Sequence, residues 1–171
     1  IGEEMIGAVL VVGGGIAGMQ ASLDLADSGY KVYLVERDSA IGGHMAKLDK
    51  TFPTNDCAMC TISPRLVDVG RHINIELLTD SQVETITGEP GAFSAMLRTK
   101  ARYIDLERCN GCGECAEVCP VSVSDAFNEG FSQRRAAFKL YPQATPDGYA
   151  IDKRGVAPCR DACATGQRAQ G

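Results

Sequence analysis

The sequence predicts an α/β fold: a βαβ unit with a β-meander, followed by a small cysteine-rich module. Three observations carry this. A valine-rich run, Ala8 to Val12, ends in three glycines. A helical segment and a second β-branched run follow directly. Farther on, Cys109, Cys112, Cys115 and Cys119 crowd into eleven residues.

In chain order, Ala8 to Val12 reads as a buried strand, short, apolar and stopped by glycine. Ile16 to Ser28 places Met19, Ala21, Leu23, Leu25 and Ala26 at helical spacing, and Gly29 ends that helix. Lys31 to Glu36 is the second strand, and a strand–helix–strand order implies parallel strands covered by helices. Arg37 to Cys60 reads as loop, broken by Gly42, Gly43 and Pro53, with a short helix expected over Pro64 to Val69. Ile73 to Leu78 reads as a strand, and Gln82–Thr87 with Phe93–Thr99 as an antiparallel pair around Gly88–Gly91. The texture then turns to cysteine- and glycine-rich loops, which places a boundary near Tyr103–Leu106. The expected domains are residues 1–104 and 105–171. Arg134, Arg135 and Lys139 read as a solvated basic face of a linker.

Composition narrows the function classes. The 171 residues carry 17 basic and 22 acidic side chains, a net charge of −5, which argues against nucleic acid as the main partner. No apolar run approaches the roughly eighteen residues of a transmembrane helix. Glu3 and Glu4 stand where a signal peptide would be basic, so the expected location is cytoplasmic. Eight cysteines in such a chain, clustered at short spacing, read as metal or redox ligands and not as a disulfide framework.

Gly13-Gly14-Gly15-Ile16-Ala17-Gly18 satisfies G-x-G-x-x-G between a strand and a helix. Gly13 makes the tight turn, Gly15 lets backbone approach a pyrophosphate, and Gly18 allows helix and strand to close on each other. The helix N-terminus, at Ile16 and Ala17, offers N–H groups to the anion. Glu36, 23 residues after Gly13, ends the second strand where a carboxylate can bind an adenosine ribose. The bland alternative is a tight turn that binds nothing. Arg37 through Gly42-Gly43 continues as E-R-x-x-x-x-G-G, which resembles the flavoproteins with two dinucleotide-binding domains. That resemblance favours FAD over NAD, implies a Rossmann-like fold, and adds Arg37, Gly42, Gly43 and His44 to the cofactor-binding candidates. For His44 and His72 an ordinary polar contact is the plainer reading.

Cys109-x2-Cys112-x2-Cys115-x3-Cys119-Pro120 is the bacterial ferredoxin spacing for a [4Fe–4S] cluster, so residues 105–171 read as a ferredoxin-like module. Gly111 and Gly113 bring backbone N–H groups toward the sulfurs, and Pro120 turns the chain away. In two-cluster ferredoxins the fourth cysteine serves the other cluster. Cys109, Cys112 and Cys115 then share one cluster, while Cys119 serves a second. Structural zinc is the competing reading. Cys159 and Cys163 are an incomplete partner motif that can supply remote ligands, for one cluster or two. Cys57-Ala58-Met59-Cys60 reads three ways: a redox disulfide near the flavin, ligands to a further cluster or metal, or two inert thiols.

Taken in order, the fingerprint, Glu36, Gly42-Gly43, the stretch Lys50-Thr51-Phe52-Pro53-Thr54-Asn55-Asp56-Cys57-Ala58-Met59-Cys60 and the ferredoxin run resemble the A-type subunits of heterodisulfide reductase and their bacterial relatives. The resemblance implies an FAD- and iron–sulfur-dependent electron-transfer subunit of an anaerobic cytoplasmic complex. It also implies flavin-based bifurcation to ferredoxin and a disulfide. The implied partners are subunits of the heterodisulfide reductase B and C types, hydrogenase- or formate-dehydrogenase-type donors, and ferredoxin. Members of that family are much longer, so the chain is expected to be a fragment. Two other readings stand beside it: a zinc-binding or structural fragment with an empty nucleotide fold, and an NADPH-linked flavoprotein resembling the glutamate synthase small subunit. The latter places its clusters before the fingerprint, the reverse of the order here.

Overall fold

In the computed structural model, residues 7–152 and Thr165 are described. Cys159 and Cys163 lie outside them. The chain forms two compact units that divide between Lys100 and Ala101, where the sequence places the division between residues 104 and 105.

The first unit is built on a parallel sheet in the order β1-β2-β3, comprising β1 (Ala8–Val12), β2 (Lys31–Val35) and β3 (Ile75–Leu78). Helix α1 (Ile16–Asp27) makes the first crossover and α2 (Ala58–Arg71) the second. Each presents one apolar stripe to the core. Met19, Leu23 and Ala26 come from α1, and Ala58, Ile62, Leu66 and Val69 from α2. Val32 and Leu34, alternate residues of the middle strand, are fully buried, as the period of a strand requires for one face against the core. His72 fastens the ends of these elements, its Nε2 lying 3.2 Å from Asp27 while its Nδ1 accepts from the Asn74 N–H at 3.1 Å. That is the ordinary polar role expected for it.

Two expectations change here. The segment 37–60 is not all loop, since Gly43–Lys47 is a 3-10 turn. The second helix starts six residues before Pro64, so that proline lies inside α2 and does not open it. The cause is a cap with an apolar stripe behind it. Cys57 Sγ accepts the Cys60 N–H at 3.1 Å, and the buried positions 58, 62, 66 and 69 keep helical period straight through the proline. Proline forfeits one backbone bond and crowds the preceding turn, and burial of the stripe outweighs that loss.

Strands β4 (Ser81–Glu89) and β5 (Ala92–Thr99) form an antiparallel hairpin with a register shift between Val83 and Thr85. The extra residue, Glu84, keeps Val83 and Ile86 on one side, opposite Leu97 and Ala95, with Phe93 facing Gly88.

The second unit holds the cysteine run. Its elements are short: α3 (Glu114–Glu117), the antiparallel pair β6 (Ser122–Ser124) and β7 (Gln133–Arg135), and the pair β8 (Ala137–Phe138) and β9 (Ala150–Ile151). Cys119, Ala136, Ala137 and Ile151 form its buried centre, flanked by Tyr103, Ile104, Cys115, Val121 and Val123. The expected solvated face holds for Arg135, which is exposed, and is corrected for Arg134 and Lys139. Arg134 lies in β7, stacks over the Phe138 ring at 3.4 Å and bonds Asp152 at 2.6 Å; Lys139 pairs with Asp147. Pairing with β6 places Arg134, and the ion pair with Asp147 holds Lys139, which follows β8 directly. Among the described residues, no helix is long and apolar enough to cross a membrane.

Candidate functional site

The glycine loop joins β1 to α1. Gly13 turns at φ +99°, in the left-handed region that favours glycine, and its N–H bonds the Val35 carbonyl at 2.8 Å. Gly18 meets the loop from inside the helix. A Cβ there would sit 1.9 Å from the Gly13 carbonyl oxygen, so helix and turn close at a distance only glycine permits. Gly15 is the opposite case, because a Cβ there would meet nothing within 4 Å. It is also the N-cap of α1 and brings no side-chain acceptor. The first-turn N–H groups at Ile16 and Ala17 are thus left to an outside partner, and the dipole end favours an anion. An open cradle that a side chain would fill, at an uncapped helix N-terminus, fits the pyrophosphate of a dinucleotide.

Glu36 is buried, and both carboxylate oxygens brace the loop. Oε2 accepts the Gly14 N–H at 2.7 Å and Oε1 accepts the Asp38 N–H at 3.0 Å. A carboxylate has about four acceptor directions, so these bonds leave capacity for the hydroxyls of a ribose. The motif does not point to the middle glycine, yet it is as constrained as its neighbours. A Cβ on Gly14 would strike Ile41 at 2.3 Å and approach Glu36 at 3.1 Å. Ile41 itself is wholly buried. The motif spelling leaves that position free, so no spacing rule marks it. Gly42-Gly43 belong to the same knot. The Gly42 N–H bonds the Gly14 carbonyl at 2.8 Å, and a Cβ on Gly43 would lie 3.0 Å from the Gly15 Cα. Arg37 and His44 are exposed, the latter in the 3-10 turn.

Cys57 and Cys60 form a disulfide at the start of α2, and both are exposed. The sequence places them in a loop; the helix reaches back to include Cys60.

In the second unit, Gly111 and Gly113 take positive φ, +71° and +89°, and wind the backbone between Cys109, Cys112 and Cys115. The segment Asp147–Tyr149 closes over that winding. A Cβ on Gly111 would lie 3.0 Å from Asp147 Oδ1, and one on Gly113 would lie 2.8 Å from the Tyr149 hydroxyl. Burial pushes the Tyr149 hydroxyl above the ordinary tyrosine range, and negative charge at Cys115, Cys112 and Cys109 pushes it the same way. Cys119 is separate, buried in the small core with Sγ 3.7 Å from the Val121 carbonyl. Among the described residues, no three His, Cys, Asp or Glu side chains close into a ready metal-binding group. Soft thiolates in a glycine-wound loop are nonetheless the donor set that iron–sulfur clusters take. The residues present fit the group.

The two units thus define a class: a dinucleotide-binding flavoprotein fold followed by an iron–sulfur module. Residues 8–61 match the FAD dependent oxidoreductase family, and residues 102–123 match the 4Fe-4S binding domain. The chain carries the binding regions for FAD and for a [4Fe–4S] cluster. A protein of Archaeoglobus profundus that is named for its likeness to the A-type heterodisulfide reductase chain is 48% identical over 92% of this chain and 26% of its own length. The A-type iron–sulfur chain of a CoB–CoM heterodisulfide reductase from Methanopyrus kandleri is 52% identical over 87% and 22%. The A-type chain of the H2:CoB–CoM heterodisulfide,ferredoxin reductase of Methanothermobacter marburgensis is 50% identical over 88% and 23%. The chain belongs to this heterodisulfide reductase family of A-type iron–sulfur flavoproteins. It spans about a quarter of the length of these relatives.

Proposed function

We propose that this chain is the part of a heterodisulfide-reductase-like complex in which FAD and a [4Fe–4S] cluster exchange electrons. Gly13, Gly15, Ile16, Ala17, Gly18 and Glu36 hold the dinucleotide, shaped from behind by Gly42 and Gly43, with Arg37 and His44 at its margin. Cys109, Cys112 and Cys115 hold one cluster, and Cys119 contributes to a second. The observation that carries this reading is the pairing, in one chain, of an open glycine cradle at an uncapped helix N-terminus with a glycine-wound cysteine loop. When bound, FAD converts between two-electron and one-electron chemistry and the cluster relays single electrons. What the protein itself supplies is anion binding, orientation and a partly buried setting for the sulfurs.

In the whole protein, this reading extends to an anaerobic cytoplasmic complex with bifurcation to ferredoxin and a disulfide. Its partners are B- and C-type subunits, a hydrogenase- or formate-dehydrogenase-type donor, and ferredoxin. Photoreduction of the bound flavin under anaerobic conditions tests the core of it. The expected result is the electron paramagnetic resonance signal of a reduced cluster, growing as the flavin bleaches. A reduced flavin beside a cluster that stays oxidised contradicts exchange.

Cys57 and Cys60 have a role of their own under this reading, supported by their bonding at a helix N-terminus. They form a redox couple that takes up two electrons and two protons in opening to two thiols. Thiol labelling at graded dithiol ratios measures this directly, and both cysteines are expected to become labelled together in one two-electron transition. Thiols that label singly, or that stay blocked under strong reductant, defeat the couple.

A further inference from the structure

The wall over the cysteine loop is held from both sides. The Arg102 guanidinium donates from Nε to the Tyr149 carbonyl at 3.0 Å and from Nη2 to the Gly148 carbonyl at 3.2 Å. Immediately after Tyr149, β9 is paired to β8, and the Ile151 N–H returns to the Arg102 carbonyl at 3.2 Å. Gly148 can lie this close only without a side chain, since a Cβ there would meet Leu106 at 2.5 Å and Cys109 Sγ at 3.8 Å. So fixed, the Tyr149 hydroxyl stands over Gly113, between Cys112 and Cys115 in the chain.

We propose that Tyr149 is a positioning residue for the iron–sulfur site, its hydroxyl donating a hydrogen bond to a sulfur of the group held by Cys109, Cys112 and Cys115. The inference rests on the assignment of those three cysteines as ligands. A phenol keeps its proton at neutral pH and can donate it in a hydrogen bond. Reduction adds negative charge to the sulfurs, so a donor aimed at them stabilises the reduced state more than the oxidised one. Hydrogen bonds to cluster sulfurs are among the levers that set the potential. No spacing rule reaches this tyrosine, which stands 30 residues beyond Cys119; only the fold returns it to the loop.

Tyr149→Phe keeps the ring and removes the donor. In the anaerobically isolated protein, iron and sulfide content and far-ultraviolet dichroism are expected to be unchanged. A redox titration followed by electron paramagnetic resonance then reads the reduction equilibrium. It is expected to fall about three- to tenfold, tenfold being about 59 mV lower for a one-electron couple. A full cluster with an unmoved potential overturns the proposal. Loss of the cluster from the Phe variant with its fold intact also overturns it, because the hydroxyl would then hold the site together without tuning it. Cys112→Ala separates the assignment underneath: loss of the cluster is expected, and full iron retention overturns the ligand assignment itself.

Discussion

Gly15 and Gly18 are spelled alike in the fingerprint, yet they are required for different reasons. At Gly18 a methyl group would drive into the Gly13 carbonyl, and backbone on both sides leaves nothing soft to yield. Overpacking of this kind costs about 1–3 kcal/mol. Gly15 has φ −75°, which any residue adopts, and open space in front of it. The two alanine variants therefore separate fold from ligand approach. Gly18→Ala is expected to lower stability by that amount and to lose flavin. Gly15→Ala is expected to leave stability within about 0.5 kcal/mol while still losing flavin, because its methyl stands where the pyrophosphate must come. Thermal unfolding and flavin content, measured on both, check this. The close approach at Gly18 was legible from the motif alone. Gly14 and Ile41 were not, because their contact joins loop segments 27 residues apart whose approach is decided by the fold. Glu36 was legible as a carboxylate at a strand end, but its work bracing Gly14 and Asp38 appears only in the hydrogen bonds.

At the level of elements, β1, α1 and β2 lie where periodicity puts them, because runs of one period bounded by glycine leave little choice. Helix α2 shows the limit of such reading. A proline is a strong local signal for a helix start, but here the buried stripe from Ala58 to Val69 outweighs it. Leu66 is central to that stripe and 1% exposed. Leu66→Ala is expected to cost about 2–5 kcal/mol, the usual range for a buried leucine whose cavity relaxes only in part. Denaturant unfolding followed by dichroism measures it, and a cost below about 1 kcal/mol would mean that α2 does not depend on this face. The short strands of the second unit were illegible for a related reason. Pairs of two or three residues carry no period of their own, and they form because partners such as Ala137 and Ile151 meet in a small core.

For the molecule as a whole, two sites of different chemistry stand on separate compact units of one chain. The first is mostly backbone: glycines, a helix end and one buried carboxylate, all suited to an anionic dinucleotide. The second is mostly sulfur, wound by glycines and roofed by Tyr149. Motif spacing points to both candidate sites because turn geometry and cluster geometry constrain short sequences tightly. It could not identify the roof, since Tyr149 leads into β9, which pairs with β8, and Arg102 is tied to it by hydrogen bonds across 47 residues of chain. Under the proposed function, this one chain holds flavin and an iron–sulfur cluster together. The most direct measurement is cofactor content after anaerobic isolation, with FAD, iron, acid-labile sulfide and zinc determined on one sample. The expected result is FAD together with iron and sulfide in equal amounts. Zinc in place of iron, or a colourless chain with no flavin, would contradict it.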